Sequence, residues 1–168
     1  MLYSRHAMIA GMTRLLLALL AASAWAPAGA QSIVALWDPA YVAVRPGATV
    51  QIMVIADIRP GYVVVAHQAR DAQLLPLTLR FPATRGVTVG ALRYPAAQDA
   101  RVDADRRRVP TYAGTMRIAV PITVSKRAPP GELTLRGELR YQACVAQRCT
   151  ASRTLPVQLT LDVQPVED

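Results

Sequence analysis

Four runs of this chain alternate apolar and polar residues with a period of two, which constrains the fold more than any other feature. Val50, Ile52, Val54, Ala56 and Ile58 alternate with Thr49, Gln51 and Asp57, and Met116, Ile118, Val120, Ile122 and Val124 repeat the pattern. Leu133, Leu135, Leu139 and Tyr141 interleave with Glu132, Thr134, Arg136, Glu138, Arg140 and Gln142. Leu155, Val157, Leu159, Leu161 and Val163 form the last run. Successive strand residues point to opposite faces, so each run is a strand with one side in a core. No segment beyond residue 30 carries a sustained i, i+3, i+4 apolar stripe, so helices are not expected there.

Turn signals separate the runs: Arg45-Pro46-Gly47, Arg59-Pro60-Gly61, Arg85-Gly86 and Pro129-Pro130-Gly131. Roughly seven to nine strands joined this way predict an all-β, immunoglobulin-like antiparallel β-sandwich, with a closed barrel as the alternative. The stretch from Tyr94 to Tyr112 breaks the alternation and reads as a long loop with a short strand around Arg101–Asp105. Long loops on rigid sandwiches often carry the working surface. The tail after Val163 is expected to fray.

Residues 1–30 read as an export signal. Arg5 and Arg14 supply a basic start with no acid, Leu15–Ala22 is a short apolar run, and Ala28-Gly29-Ala30 is a small-x-small cleavage site. Met12 is an equally good start. The apolar run is shorter than the roughly 20 residues of a membrane-spanning helix, so the expectation is cleavage near Ala30. That leaves a single exported domain, 31–168, without a membrane span. A chain of that length buries about two-thirds of its extended surface and does not need a disulfide in order to fold.

Without Arg5 and Arg14 the chain has 17 Lys and Arg against 11 Asp and Glu, a net charge of +6. Its densest basic run, Asp103-Ala104-Asp105-Arg106-Arg107-Arg108, mixes signs and lacks neighbouring aromatics. Nucleic-acid recognition needs a basic stripe on a defined fold, so this run reads as a solvated loop. His67 is the only histidine after residue 30, too few nitrogen and sulfur donors for a zinc or copper centre. Met53 and Met116 read as packing residues. Ser32, Ser125 and Ser152 stand in no nucleophile motif, so neither a cofactor nor a hydrolytic triad is expected.

The chemistry that remains belongs to Cys144 and Cys149, the chain's two cysteines, separated by Val145-Ala146-Gln147-Arg148. In an oxidising compartment two thiols this close are normally joined. The strand ending at Gln142 runs into Cys144, and the next strand leaves soon after Cys149, so the bond is expected at the mouth of a β-hairpin. A bond closing so small a loop restricts the unfolded chain little, which makes it a poor staple. Arg148, with Arg153 behind it, could favour a thiolate at Cys149. Asp99, Asp103 and Asp105 are candidate proton acceptors, and Tyr94, Tyr112 and Tyr141 candidate shields for the sulfurs. The spacing is not the Cys-x-x-Cys of thioredoxin-type centres. A structural disulfide and a redox centre both stay open on these residues.

The chain resembles the N-terminal periplasmic domain of the bacterial thiol:disulfide interchange protein DsbD and stand-alone relatives of it. The likeness runs through Gly61-Tyr62 with His67, Pro76-Leu77-Thr78-Leu79-Arg80-Phe81 and Leu92-Arg93-Tyr94-Pro95. It continues through Tyr112-Ala113-Gly114, Val120-Pro121-Ile122, Pro130-Gly131 and Leu139-Arg140-Tyr141-Gln142-Ala143-Cys144 with Cys149, covering roughly residues 45–163. The resemblance implies an immunoglobulin-like domain that passes reducing equivalents to oxidised periplasmic proteins. Cys149 would enter the mixed disulfide and Cys144 would resolve it. It implies a loop over the disulfide, here beginning near Tyr94, and a thioredoxin-like or membrane-embedded thiol reductant on a separate chain. One departure is Thr150-Ala151-Ser152, where the family usually carries a proline. The competing expectation is a non-enzymatic exported β-sandwich that binds another protein and keeps a purely structural disulfide.

Overall fold

The computed structural model describes residues 32–38, 40–102 and 108–165; the expected signal segment, Asp103 and Asp105 lie outside them. The four alternating runs form the four long strands: β3 (Thr49–Ile58), β9 (Thr115–Val124), β10 (Gly131–Tyr141) and β13 (Arg153–Val163). β3 pairs antiparallel with β9 from Thr49↔Thr123 to Asp57↔Thr115, and β10 with β13 from Gly131↔Val163 to Tyr141↔Arg153. Met116, Ile118, Val120, Ile122 and Val124 are buried and meet Leu135, Leu139, Leu159 and Leu161 in one core. Each such side chain contributes about 1.5–3 kcal/mol relative to remaining exposed. Met53 is the exception to the packing expectation: it stands on the outer face of β3, 38% exposed, whereas Met116 lies in the core.

Shorter strands complete an all-β, immunoglobulin-like sandwich. With β1 (Val34–Leu36) and β6 (Val87–Val89), the first sheet has the order β1-β3-β9-β6. With β2 (Ala40–Val44) and β5 (Thr78–Arg80), the second has the order β2-β13-β10-β5. The chain crosses between sheets after Leu36, and β2 then runs parallel to β13, from Ala40↔Leu159 to Val44↔Val163; every other ladder is antiparallel. Pro121 shows how sequence ends a strand. Gly90 N–H donates to the Pro121 carbonyl (2.8 Å), but proline cannot return the bond, and β6 stops at Val89. Gly137 allows β5 and Phe81 to close against β10: a Cβ there would sit 2.6 Å from the Arg80 carbonyl oxygen and the Phe81 ring.

The described residues hold thirteen strand segments rather than seven to nine, because a third sheet has formed. It comprises β4 (Val63–Val65), β7 (Gln98–Arg101), β8 (Arg108–Tyr112), β11 (Ala143–Val145) and β12 (Arg148–Cys149), in the order β12-β11-β4-β8-β7. The stretch from Tyr94 to Tyr112 is thus no simple loop. β7 and β8 pair from Gln98↔Thr111 to Arg101↔Arg108. Among the described residues no helix is long and apolar enough to cross a membrane.

Candidate functional site: a disulfide at the seam of a curled sheet

Gln142 marks the point where the chain leaves the second sheet for the third. Its carbonyl accepts from Val65 N–H (3.0 Å), its Oε1 from Leu75 N–H (2.7 Å), and its Nε2 donates to the Thr150 carbonyl (3.0 Å). These bonds hold both arms of the short hairpin that follows. Cys144 and Cys149 stand directly opposite each other in that hairpin, with Val145 opposite Arg148. Their Cα atoms are 4.0 Å apart and their sulfurs are bonded. The bond therefore does not close the mouth of the β10–β13 hairpin, as its spacing suggested. It links two strands of a separate small hairpin in a different sheet.

The turn is formed by Ala146 and Gln147, both at positive φ (46° and 65°). A type I′ two-residue hairpin requires this left-handed pair, whose twist matches that of the strands, and Asn-Gly supplies it with least strain. Here two residues with ordinary side chains occupy it. Each costs about 1–2 kcal/mol relative to a right-handed conformation.

Cross-strand pairing sorts the third sheet into two faces. Val64, Ala143 and Tyr112 join the main core, whereas Val63 and Val65 share the other face with Cys144. There Val65, Ala69, Val102, Val109 and Cys144 form a second apolar cluster, edged by Val63, Leu74, Ala100 and Cys149. Cys144 is 2% exposed, while Cys149, on the edge strand, is half-buried. The two cysteines differ in exposure, Cys149 being the more exposed residue of the pair.

β7 and β12 are the outermost strands of this sheet, yet the Val102 carbonyl oxygen lies 3.4 Å from Cys149 Sγ. The sheet has curled until its first and last strands meet over the second cluster. Disulfide sulfurs carry no proton, so this is a contact rather than a hydrogen bond. A reduced Cys149 thiol would have an acceptor in place.

Few of the other candidates join the sulfurs. Asp99 lies exposed on β7 opposite Pro110, on the face away from Ala100 and the cluster. Arg148 pairs with Val145, so alternation directs it to the sheet face opposite Cys149 and not onto the sulfur. Tyr141 is fully buried in the main core. Tyr94 and Tyr112 instead flank His67: the rings of His67 and Tyr94 stack at 4.0 Å, and His67 Nδ1 lies 2.6 Å from the Tyr112 hydroxyl. Burial lowers the His67 pKa and raises that of Tyr112. Ser125 accepts from Arg127 N–H and Ser152 from Arg140. Val102 escaped sequence reasoning because its contribution is a backbone carbonyl, and only the pairing of β7 with β8 brings it to the sulfur.

No protein-family model matches the chain, and no curated protein matches its sequence. Among solved structures it is similar to the reduced N-terminal domain of DsbD from Neisseria meningitidis. That match has 15% identity over 67% of this chain and 81% of that one, with a TM-score of 0.43. It is also similar to a PapD-like domain of human CEP192, with 13% identity over 80% and 87% of the two chains and a TM-score of 0.38. The VesB protease of Vibrio cholerae is matched at 13% identity, over 78% of this chain and 32% of that one, with a TM-score of 0.41. At these values the likeness is one of general fold, and the architecture rests on the strand pairing itself.

Proposed function

We propose that this chain is an exported, periplasmic thiol–disulfide exchange protein working through Cys149 and Cys144. The observation that carries this reading is the unequal pair: one cysteine half-buried on an edge strand, the other 2% exposed behind it. Exchange requires one reachable sulfur and one that waits to resolve the intermediate. The thiolate of a reduced dithiol partner attacks Cys149 Sγ. The Cys144–Cys149 bond breaks, a mixed disulfide forms, and Cys144 leaves as a thiolate that takes up a proton. The partner's second thiol then releases Cys149, so two electrons and two protons reach the pair and the partner leaves oxidised. Run the other way, Cys149 attacks a disulfide of an oxidised client protein and Cys144 resolves the intermediate. The reductant is a thioredoxin-like or membrane-embedded thiol protein.

The Ala146–Gln147 turn favours a second reading. A disulfide beside a turn built from unfavourable residues could serve only to hold it, and the domain would then be a binding module. The redox state of the protein in cells separates the two. Acid quenching followed by thiol labelling should find a reduced fraction if the pair carries electrons. Complete oxidation, unchanged in cells loaded with an excess of permeant dithiol, would support the module.

A further inference from the structure

The outer side of the seam carries an unusual concentration of cations. Arg101 and Arg108 are directly opposed across β7 and β8, and both are exposed. Like charges facing each other across a ladder are destabilising. Arg101 precedes Val102 and Arg148 precedes Cys149, and those two neighbours touch at 3.4 Å. Alternation places Arg101, Arg108 and Arg148 on the same side of the curled sheet, away from the second cluster. Asp99, two residues before Arg101, is the one acid on that side of β7. None of the three arginines forms an ion pair with another described residue. Among the described residues nothing neutralises this opposed arginine pair, and it borders the strand ends that meet where Val102 touches Cys149.

We propose that Arg101, Arg108 and Arg148 form an electrostatic docking surface that selects redox partners with an acidic face around the reacting cysteine. This rests on the exchange reading above and specifies its partner class. Charge of one sign around a reactive group raises the encounter rate with oppositely charged partners and suppresses like-charged ones. The attacking thiolate arrives at Cys149 and the Cys144–Cys149 bond opens, while the arginines, on the other face of the sheet edge, act on the partner's surrounding acids rather than on the sulfur.

The test uses the oxidised full chain and two reduced synthetic peptides of equal length, each with one cysteine, flanked by Asp and Glu in one and by Lys in the other. Mixed-disulfide formation is followed by mass, and each rate is divided by the same peptide's rate with bis(2-hydroxyethyl) disulfide to remove intrinsic reactivity. At about 20 mM salt the acidic peptide should be favoured about tenfold, with the ratio approaching one at about 0.5 M. Replacing Arg101→Gln, Arg108→Gln and Arg148→Gln together should bring the low-salt ratio near one. Lys126→Gln, in the turn at the far end of β10, should preserve it. Because the arginine pair is a repulsive one, Arg108→Gln alone should leave the melting temperature unchanged or higher, which confirms a folded variant. Equal normalised rates at low salt, or a preference that survives the triple substitution, would overturn the docking surface alone. A disulfide in the folded protein that is inert to dithiothreitol as well as to both peptides would overturn the exchange reading, and the proposal with it.

Discussion

Val102 and Cys149 belong to opposite ends of a five-stranded sheet, and the carbonyl oxygen of one rests 3.4 Å from the sulfur of the other. That contact covers the edge strand and leaves Cys149 half-buried, while Cys144 behind it is closed off. Access and chemistry are therefore set by the same curl of the sheet.

Single-cysteine variants should differ sharply. Cys144→Ser leaves Cys149 as a thiol at the seam, which should form a stable mixed disulfide with oxidised glutathione. Cys149→Ser leaves Cys144 within the apolar cluster and should react at least about tenfold more slowly while folded. Mass spectrometry over a time course reads both. Equal rates in the two folded variants would contradict the assignment of Cys149 as the entering sulfur.

The hairpin turn is open to improvement. Replacing Ala146→Asn and Gln147→Gly supplies residues suited to two positive φ angles. The oxidised protein should gain about 1 kcal/mol or somewhat more in denaturant unfolding. No gain would mean that the disulfide alone holds the turn and the residue types there are immaterial.

Gly137→Ala should be costly. The new methyl would meet a backbone oxygen and an aromatic ring at 2.6 Å, and the oxygen belongs to the paired strand β5. Forcing those strands apart should cost about 1–3 kcal/mol, read as a lowered midpoint with an unchanged denaturant slope.

His67 links stability to pH. Burial holds its pKa below the ordinary 6.5, so the folded state carries a neutral ring where the unfolded state is already protonated. Between those two pKa values the unfolded chain binds more protons, and stability falls as pH drops from about 6.5 toward the folded value. The effect is modest, because His67 is an exposed residue. Melting temperatures of wild type and His67→Phe from pH 7.5 to 5 should show the larger decline in wild type. Parallel curves would remove His67 from the account.

The long strands could be read from sequence because their burial has a period of two over ten or eleven residues. β3, β9, β10 and β13 lie where Val50–Ile58, Met116–Val124, Leu133–Tyr141 and Leu155–Val163 alternate. The third sheet was hidden for a physical reason. Its strands are two to five residues long, too short for alternation to register, and Val63-Val64-Val65 is apolar on both faces because each face meets a cluster. The cysteines were legible as a bonded pair. Their separate hairpin was not, since it depends on Gln142 bridging Leu75 and Thr150 across 67 and 8 residues. Arg148 misled for a related reason: adjacency along a strand means opposite faces, so the neighbour in sequence is not the neighbour of the sulfur.

The reduction potential of the Cys144–Cys149 bond, measured with the unfolding midpoints of both redox forms, tests the central claim most directly. Exchange predicts a potential above about −250 mV with the reduced protein still folded. A potential below about −300 mV, with marked loss of stability on reduction, would contradict it and leave the bond as a structural tie.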